Sequence, residues 1–275
     1  MDRARAILWT LCVTEIVSWG VLVYAPAVFL LPMEQELGFT RAELSGGFSL
    51  AMLTCAISAV PVGRWLDRHG PRGIMTAGSC VAVVLTLAWS RVSTLSEYYA
   101  IWAGIGVTMA CVLYQPAFAA LATWFTTERR RALTILSLAA ALASTLSLPL
   151  AAWLLARLGW RDALVVLAAV LAVVTIPLHA LVLRQAPATP PAGTAAAEPS
   201  MLPREAVRSA AFLALAAALV LSSLAHAVVS VHAVTFLVEE GYTMAVASAI
   251  AGAVGAMQIP GRLLFAGAGQ RRPAA

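Results

Sequence analysis

Long apolar runs separated by short polar intervals dominate the chain. A bilayer core about 30 Å thick needs roughly 20 apolar helical residues. On that rule the chain has eight candidate membrane spans, at Ile7–Leu31, Leu44–Leu66, Ile74–Ser90, Tyr98–Phe125, Ala132–Leu155, Ala163–Val182, Ala210–Val238 and Met244–Phe265. Backbone polar groups in hydrocarbon must be satisfied within the segment, so these runs are predicted to be helices. A closed barrel would instead show short segments of alternating polarity, and these runs do not alternate. The one long polar interval, Gln185–Val207, carries Pro187, Pro190, Pro191, Pro199 and Pro203. Proline at that density prevents a continuous helix and predicts an extended linker. The expected organisation is a six-helix bundle over 1–184, a Pro/Ala-rich linker over 185–207, and two further helices within 208–275.

Composition excludes a water-facing surface. Of 275 residues, 61% are hydrophobic and 11% charged, with a mean hydropathy of +0.87, against about 25% charged residues in soluble domains. Cys12, Cys55, Cys80 and Cys111 each lie inside an apolar run without CxxC spacing, which reads as packing rather than disulfide or metal chemistry. The net charge is +5 and every basic side chain except histidine is Arg. With the N-terminus inside, thirteen Arg fall on internal segments and four (Arg41, Arg91, Arg157, Arg161) on external loops, with Arg262 unassigned in the last span. The positive-inside rule then places both termini and the linker in the cytoplasm. The first apolar run is too long for a signal-peptide core and reads as a retained span. Absence of Lys with abundant Ala points to a GC-rich bacterial genome, and so to the bacterial cytoplasmic (inner) membrane.

A weak repeat links the ends of the chain. Gly38-Phe39-Thr40 precedes the second span and Gly241-Tyr242-Thr243 the eighth; Pro61-Val62-Gly63-Arg64 closes the second and Pro260-Gly261-Arg262 lies late in the eighth. Parallel repeats of this kind mark transporters. Between spans two and three stands Gly63-Arg64-Trp65-Leu66-Asp67-Arg68-His69-Gly70-Pro71-Arg72. This stretch resembles the signature loop of the major facilitator superfamily, with Gly63, Arg64, Asp67, Arg68, Gly70 and Arg72 as its elements and Pro71 in place of one basic residue. Trp160-Arg161-Asp162 resembles the start of that family's sixth helix. Trp124-Phe125 followed by Arg129-Arg130-Arg131-Ala132-Leu133, and Gly255-Ala256-Met257-Gln258-Ile259-Pro260-Gly261-Arg262, resemble helices five and eight of its monocarboxylate-porter-like branch. In that branch helix eight carries an Asp where Gln258 stands here, while the Arg is kept as Arg262. The motif of drug–proton antiporters is missing from helix five.

The resemblance implies an all-α membrane bundle and secondary transport of a small organic anion, with proton coupling or symport. The family pattern is twelve helices in two halves. The expected fold is therefore a complete N-terminal six-helix half plus the first two helices of the C-terminal half, a truncated chain. The competing expectations are an inactive fragment or accessory membrane subunit and, less favoured, a membrane-embedded enzyme. The enzyme lacks support, because no GxxxxGK[ST], HExxH or CxxC motif occurs. No cofactor, metal or nucleic-acid partner is expected. The expected partners are a small-molecule substrate, protons, the lipid bilayer and, through self-association, a second copy.

Candidate site residues follow from polarity inside the spans. Glu15 is the acidic residue deep in a span, where an ionisable group costs roughly 2.5–3.5 kcal/mol on insertion scales and usually faces a cavity or partner. Trp19 lies one turn later on the same face, with Tyr24 further along. Tyr114 and Gln115 interrupt the fourth span before Pro116, which is expected to open a kink. Ser222, His226 and Ser230 recur at four-residue spacing as a polar stripe, and His232 lies about 120° away. Gln258 and Arg262 complete the set, Arg262 either clamping a carboxylate or snorkelling to the surface. For each, a packing or interhelical hydrogen-bonding role remains the competing reading. His69 and His179 read as structural.

Overall fold

A computed structural model describes residues 2–183 and 208–268; for Asp2 and residues 262–268 it describes the backbone alone. The 185–207 interval read as a linker lies outside the described residues. The helices are α1 (Asp2–Trp19), a π-helical turn (Gly20–Tyr24), α2 (Ala25–Leu37), α3 (Arg41–His69), α4 (Pro71–Trp89), α5 (Leu95–Val112), α6 (Tyr114–Trp124), α7 (Arg129–Leu181), α8 (Ala210–Glu239) and α9 (Met244–Ala268). Among the described residues there is no strand.

Among the described residues seven helical stretches are long and apolar enough to cross a membrane, against eight spans expected. The difference is α7, whose 53 residues would reach about 80 Å as one straight helix. Gly159 divides it, with φ 77° and ψ 168°, a left-handed φ that a side chain disfavours. The two arms fold back on each other. Ala132 and Leu136 from the first arm share a cluster with Leu183, which follows the second, and with Ile7, Leu8 and Leu11 of α1. The fifth and sixth expected spans are these two arms.

Proline sets the other break. Pro116 has no amide hydrogen, and its ring clashes with the carbonyl four residues back, Val112. α5 ends at Val112, and Leu113 is extended with φ −90° and ψ −162°. The chain resumes as α6, so Leu95–Trp124 crosses once with an interruption.

Two helix starts are fixed by reciprocal capping. Thr40 and Glu43 form a capping box at α3, and Thr94 and Glu97 at α5, each satisfying orphan amides of the first turn. They carry α3 and α5 three residues beyond the apolar boundaries read from hydropathy.

An aromatic core holds the end of the bundle near Gly159. Trp89 and Trp102 meet at 5.0 Å between ring centroids, with Phe29, Phe48 and Tyr98 around them. Above it the Trp160-Arg161 pair ties three segments together. Trp160 Nε1 donates to Glu36 Oε2 at 2.6 Å, Arg161 Nε donates to Glu36 Oε1 at 2.8 Å, and Arg161 also donates to the carbonyls of Ser90 and Val92. Met75, Ala117, Leu121 and Ala132 pack at the opposite end. Large apolar side chains such as Ile57, Val173, Leu181 and Met257 point outward, as lipid-facing residues do.

α8 packs against α2 and α9. Its buried residues Val231, Val234 and Thr235 all lie in its C-terminal half. α9 packs closely on α7.

Candidate functional site

The polar residues of the first span converge where α1 passes into the π-helical turn. Glu15 is fully buried. Its Oε2 accepts from Trp19 Nε1 at 2.8 Å, the i, i+4 geometry of a shared helix face. Its Oε1 is buried with no hydrogen-bond partner. A buried acceptor left unpaired costs about 1–3 kcal/mol, so it marks a place where a ligand or proton would be welcome.

The π-helical turn decides where Tyr24 goes. Ala25 N–H bonds to Gly20 O, a five-residue step. Residues five apart share a face in that geometry, whereas in an α-helix they lie about 140° apart. Tyr24 is thereby brought to 6.2 Å from Trp19, ring centroid to centroid. From the interrupted fourth crossing Tyr114 reaches Trp19 at 4.9 Å, and Phe118 stacks on Tyr114 at 5.0 Å. Two breaks in regular helix thus build one cluster. Single-turn π segments often occur at functional sites.

Beyond Tyr24 lies a small cleft of about 50 Å³ between α7, α8 and α9, lined by Tyr24, Ser144, His226, Ser230 and Gln258 with apolar neighbours. Ser230 Oγ lies 3.4 Å from His226 Nε2, joining two members of the α8 stripe. The close approach of α9 to α7 shapes the cleft. A Cβ on Gly255 would run into Ser144 Oγ and the Ala141 carbonyl, and Thr145 Oγ1 donates to Gly252 O at 2.8 Å.

Other candidates fall elsewhere. Gln115 is exposed beside the inward-turned Tyr114. Ser222 is exposed on the first half of α8, and His232 is half-buried and is not among the residues lining the cleft. Arg262 is on α9, but its side chain lies outside the described residues. His179 is buried, its Nδ1 2.9 Å from Ser79 Oγ, bridging α4 and α7. In the signature loop Trp65 stacks on His69 at 4.4 Å, Gly70 has φ 76°, and Asp67 is exposed. Sequence reading missed Ser144 and Thr145. Their signal was a pair of hydroxyls in an Ala/Leu run, which resembles ordinary helix packing. Among the described residues no group of three or more His, Cys, Asp or Glu is placed to hold a metal.

A family model described as the Major Facilitator Superfamily matches residues 10–274. The chain is similar to an uncharacterized MFS-type transporter, YcxA, of Bacillus subtilis (strain 168), with 33% identity over 153 residues covering 54% of this chain and 37% of that protein. It is also similar to an uncharacterized transporter of the same organism, YybO, with 27% identity over 158 residues covering 57% of this chain and 35% of that protein. The chain thus spans little more than a third of the length of either relative.

Proposed function

Because the chain belongs to the major facilitator superfamily, we propose that it serves secondary active transport of a small organic anion coupled to protons. The family is one of transporters, so the chain is an integral membrane protein and not an enzyme. The substrate class rests on the likeness of 124–133 and 255–262 to the monocarboxylate-porter-like branch and on the chemistry of the cleft. Tyr24, His226 and Gln258, which line the cleft, carry the kinds of hydrogen-bond donor that a carboxylate needs. Arg262 is the charged clamp in this reading, since it keeps its cation at all relevant pH.

The observation that carries the proposal is Glu15: a fully buried carboxyl with one unpartnered oxygen, one helical turn from an aromatic cluster. Glu15 is assigned the proton, and Tyr24, His226, Gln258 and Arg262 the solute. The arginine distribution supports a cytoplasmic location for the N-terminus, linker and C-terminus, in a bacterial inner membrane.

The test is binding of lactate, pyruvate and succinate to the purified protein by calorimetry. Tyr24→Phe and Gln258→Leu should each weaken binding about tenfold, the loss of about 1.4 kcal/mol expected for a hydrogen bond to a charged group. Unchanged affinity in both variants would remove the cleft from the account.

A second reading is favoured by α8. Ser222 and Ser223 are exposed on its first half, and polar groups facing hydrocarbon are costly. In this reading the chain self-associates or serves as an accessory subunit, with α8 covered by another copy. Light scattering of the detergent-solubilised protein separates monomer from dimer.

A further inference from the structure

Two orphaned polar atoms sit within one turn of α1. Glu15 Oε1 and Ser18 Oγ are both buried without a hydrogen-bond partner, with Glu15 0% and Ser18 1% exposed. At about 100° per residue, Ser18 lies roughly 60° to one side of Glu15 and Trp19 roughly 40° to the other. Cys12, one turn back, falls on the Trp19 side. The carboxyl is thus flanked by an indole N–H that already holds Oε2 at 2.8 Å and by a hydroxyl that holds nothing. Two neighbouring hydroxyls are committed elsewhere. Thr14 Oγ1 donates to Leu11 O at 3.3 Å. Ser147 of α7 lies so close to the end of α1 that a Cβ on Gly20 would meet its Cβ at 2.9 Å, but its hydroxyl donates to Ala143 O at 2.6 Å.

We propose that Ser18 is the positioning residue for the proton on Glu15, its Oγ accepting the hydrogen bond that the protonated Oε1 donates. The proposal rests on the assignment of the proton to Glu15 made above. Protonation forms one O–H bond and turns a carboxylate oxygen into a donor. The proton belongs on Oε1, because Oε2 then remains the carbonyl oxygen and keeps its bond from Trp19. A buried donor without an acceptor costs about 1–3 kcal/mol, so Oε1–H needs a partner. A serine hydroxyl has two acceptor lone pairs, and those of Ser18 are unused. Residues three apart on a helix have Cβ atoms about 5–6 Å apart, so rotation about χ1 of Ser18 and the terminal torsions of Glu15 closes the bond. On release the O–H bond breaks, its electron pair stays on the carboxylate, and both atoms return to the orphaned arrangement seen here. Trp19 on one side and Ser18 on the other thereby hold the carboxyl in a fixed orientation while it carries the proton.

Infrared spectroscopy of the purified chain in lipid tests this through the C=O stretch of a protonated carboxyl, whose frequency falls when its O–H donates a hydrogen bond. Spectra are taken as the pH is lowered from about 7 to about 5.5, a range in which exposed carboxyls stay ionised. A protonated-carboxyl band present in the wild type and missing in Glu15→Gln belongs to Glu15. Ser18→Ala should move that band to higher frequency, and Ser18→Thr, which keeps a hydroxyl, should return it towards the wild-type position. Thr14→Ala, which removes a hydroxyl already bonded to Leu11 O, should leave it in place. A band that Glu15→Gln does not remove would sink the assignment of the proton to Glu15, and this inference with it. A Glu15 band unmoved in Ser18→Ala would overturn the inference alone. So would an equal displacement in Thr14→Ala, which would mark a general change in packing.

Discussion

Arg41 Nη2 donates to Glu239 Oε1 at 2.7 Å, joining the start of α3 to the end of α8 across 198 residues. The same guanidinium also reaches Glu34 at 3.3 Å. One arginine therefore links the ends of the first, second and seventh expected spans. Both partners of the long-range pair are substantially exposed, at 36% and 48%, and pairs so exposed contribute about 0–1 kcal/mol. Such a contact can hold two parts of the bundle together and still release cheaply.

The contrast with Arg161 makes this measurable. Arg161→Ala would strand the carbonyls of Ser90 and Val92 and remove the Glu36 ion pair, with a cost of about 2–3 kcal/mol. Arg41→Ala should cost about 1 kcal/mol or less. Thermal melting in one detergent should therefore show a clearly larger fall for Arg161→Ala. Equal falls would mean that the Arg41 contact is structural rather than releasable.

Gly255 sets the second prediction. Because a Cβ at this position would run into Ser144 Oγ and the Ala141 carbonyl, any larger residue must separate α9 from α7. Gly255→Leu should destabilise the protein by about 1–3 kcal/mol, the range for overpacking, and weaken carboxylate binding as well. Met257→Leu, on an exposed position of the same helix, should do neither. A Gly255→Leu protein with wild-type melting would contradict the close helix contact.

Membrane orientation is tested by labelling intact cells. In a background without the native cysteines, Pro190→Cys should be protected from an impermeant thiol reagent and Glu239→Cys should react. Labelling at 190 from outside would reverse the proposed topology.

The spans were legible because a lipid-facing helix must be apolar for about 20 residues, and that length leaves little ambiguity. The Pro116 interruption was legible in kind, though its position was not: the break falls at Leu113 because the clash acts on the carbonyl four residues earlier. Hydropathy placed the starts of α3 and α5 too late, since Thr40-x-x-Glu43 and Thr94-x-x-Glu97 extend those helices into polar sequence. Glu15, Trp19, Tyr24 and Tyr114 were each singled out as polar or aromatic positions inside spans. Their convergence was not legible, because it depends on a π-helical turn for which Gly20-Val21-Leu22-Val23-Tyr24 gives no local signal. The Arg41–Glu239 pair was equally hidden. Charges at loop ends say little about which distant loop they will meet.

The most direct measurement is calorimetric binding of a small carboxylate in two buffers of different ionisation enthalpy. A difference in heat between buffers reports protons exchanged on binding. The wild type should exchange a proton with the solvent when carboxylate binds. Glu15→Gln, whose amide oxygen can still accept from Trp19, should bind with no buffer-dependent heat. The same buffer dependence in Glu15→Gln would place the proton on another residue and contradict the role assigned to Glu15.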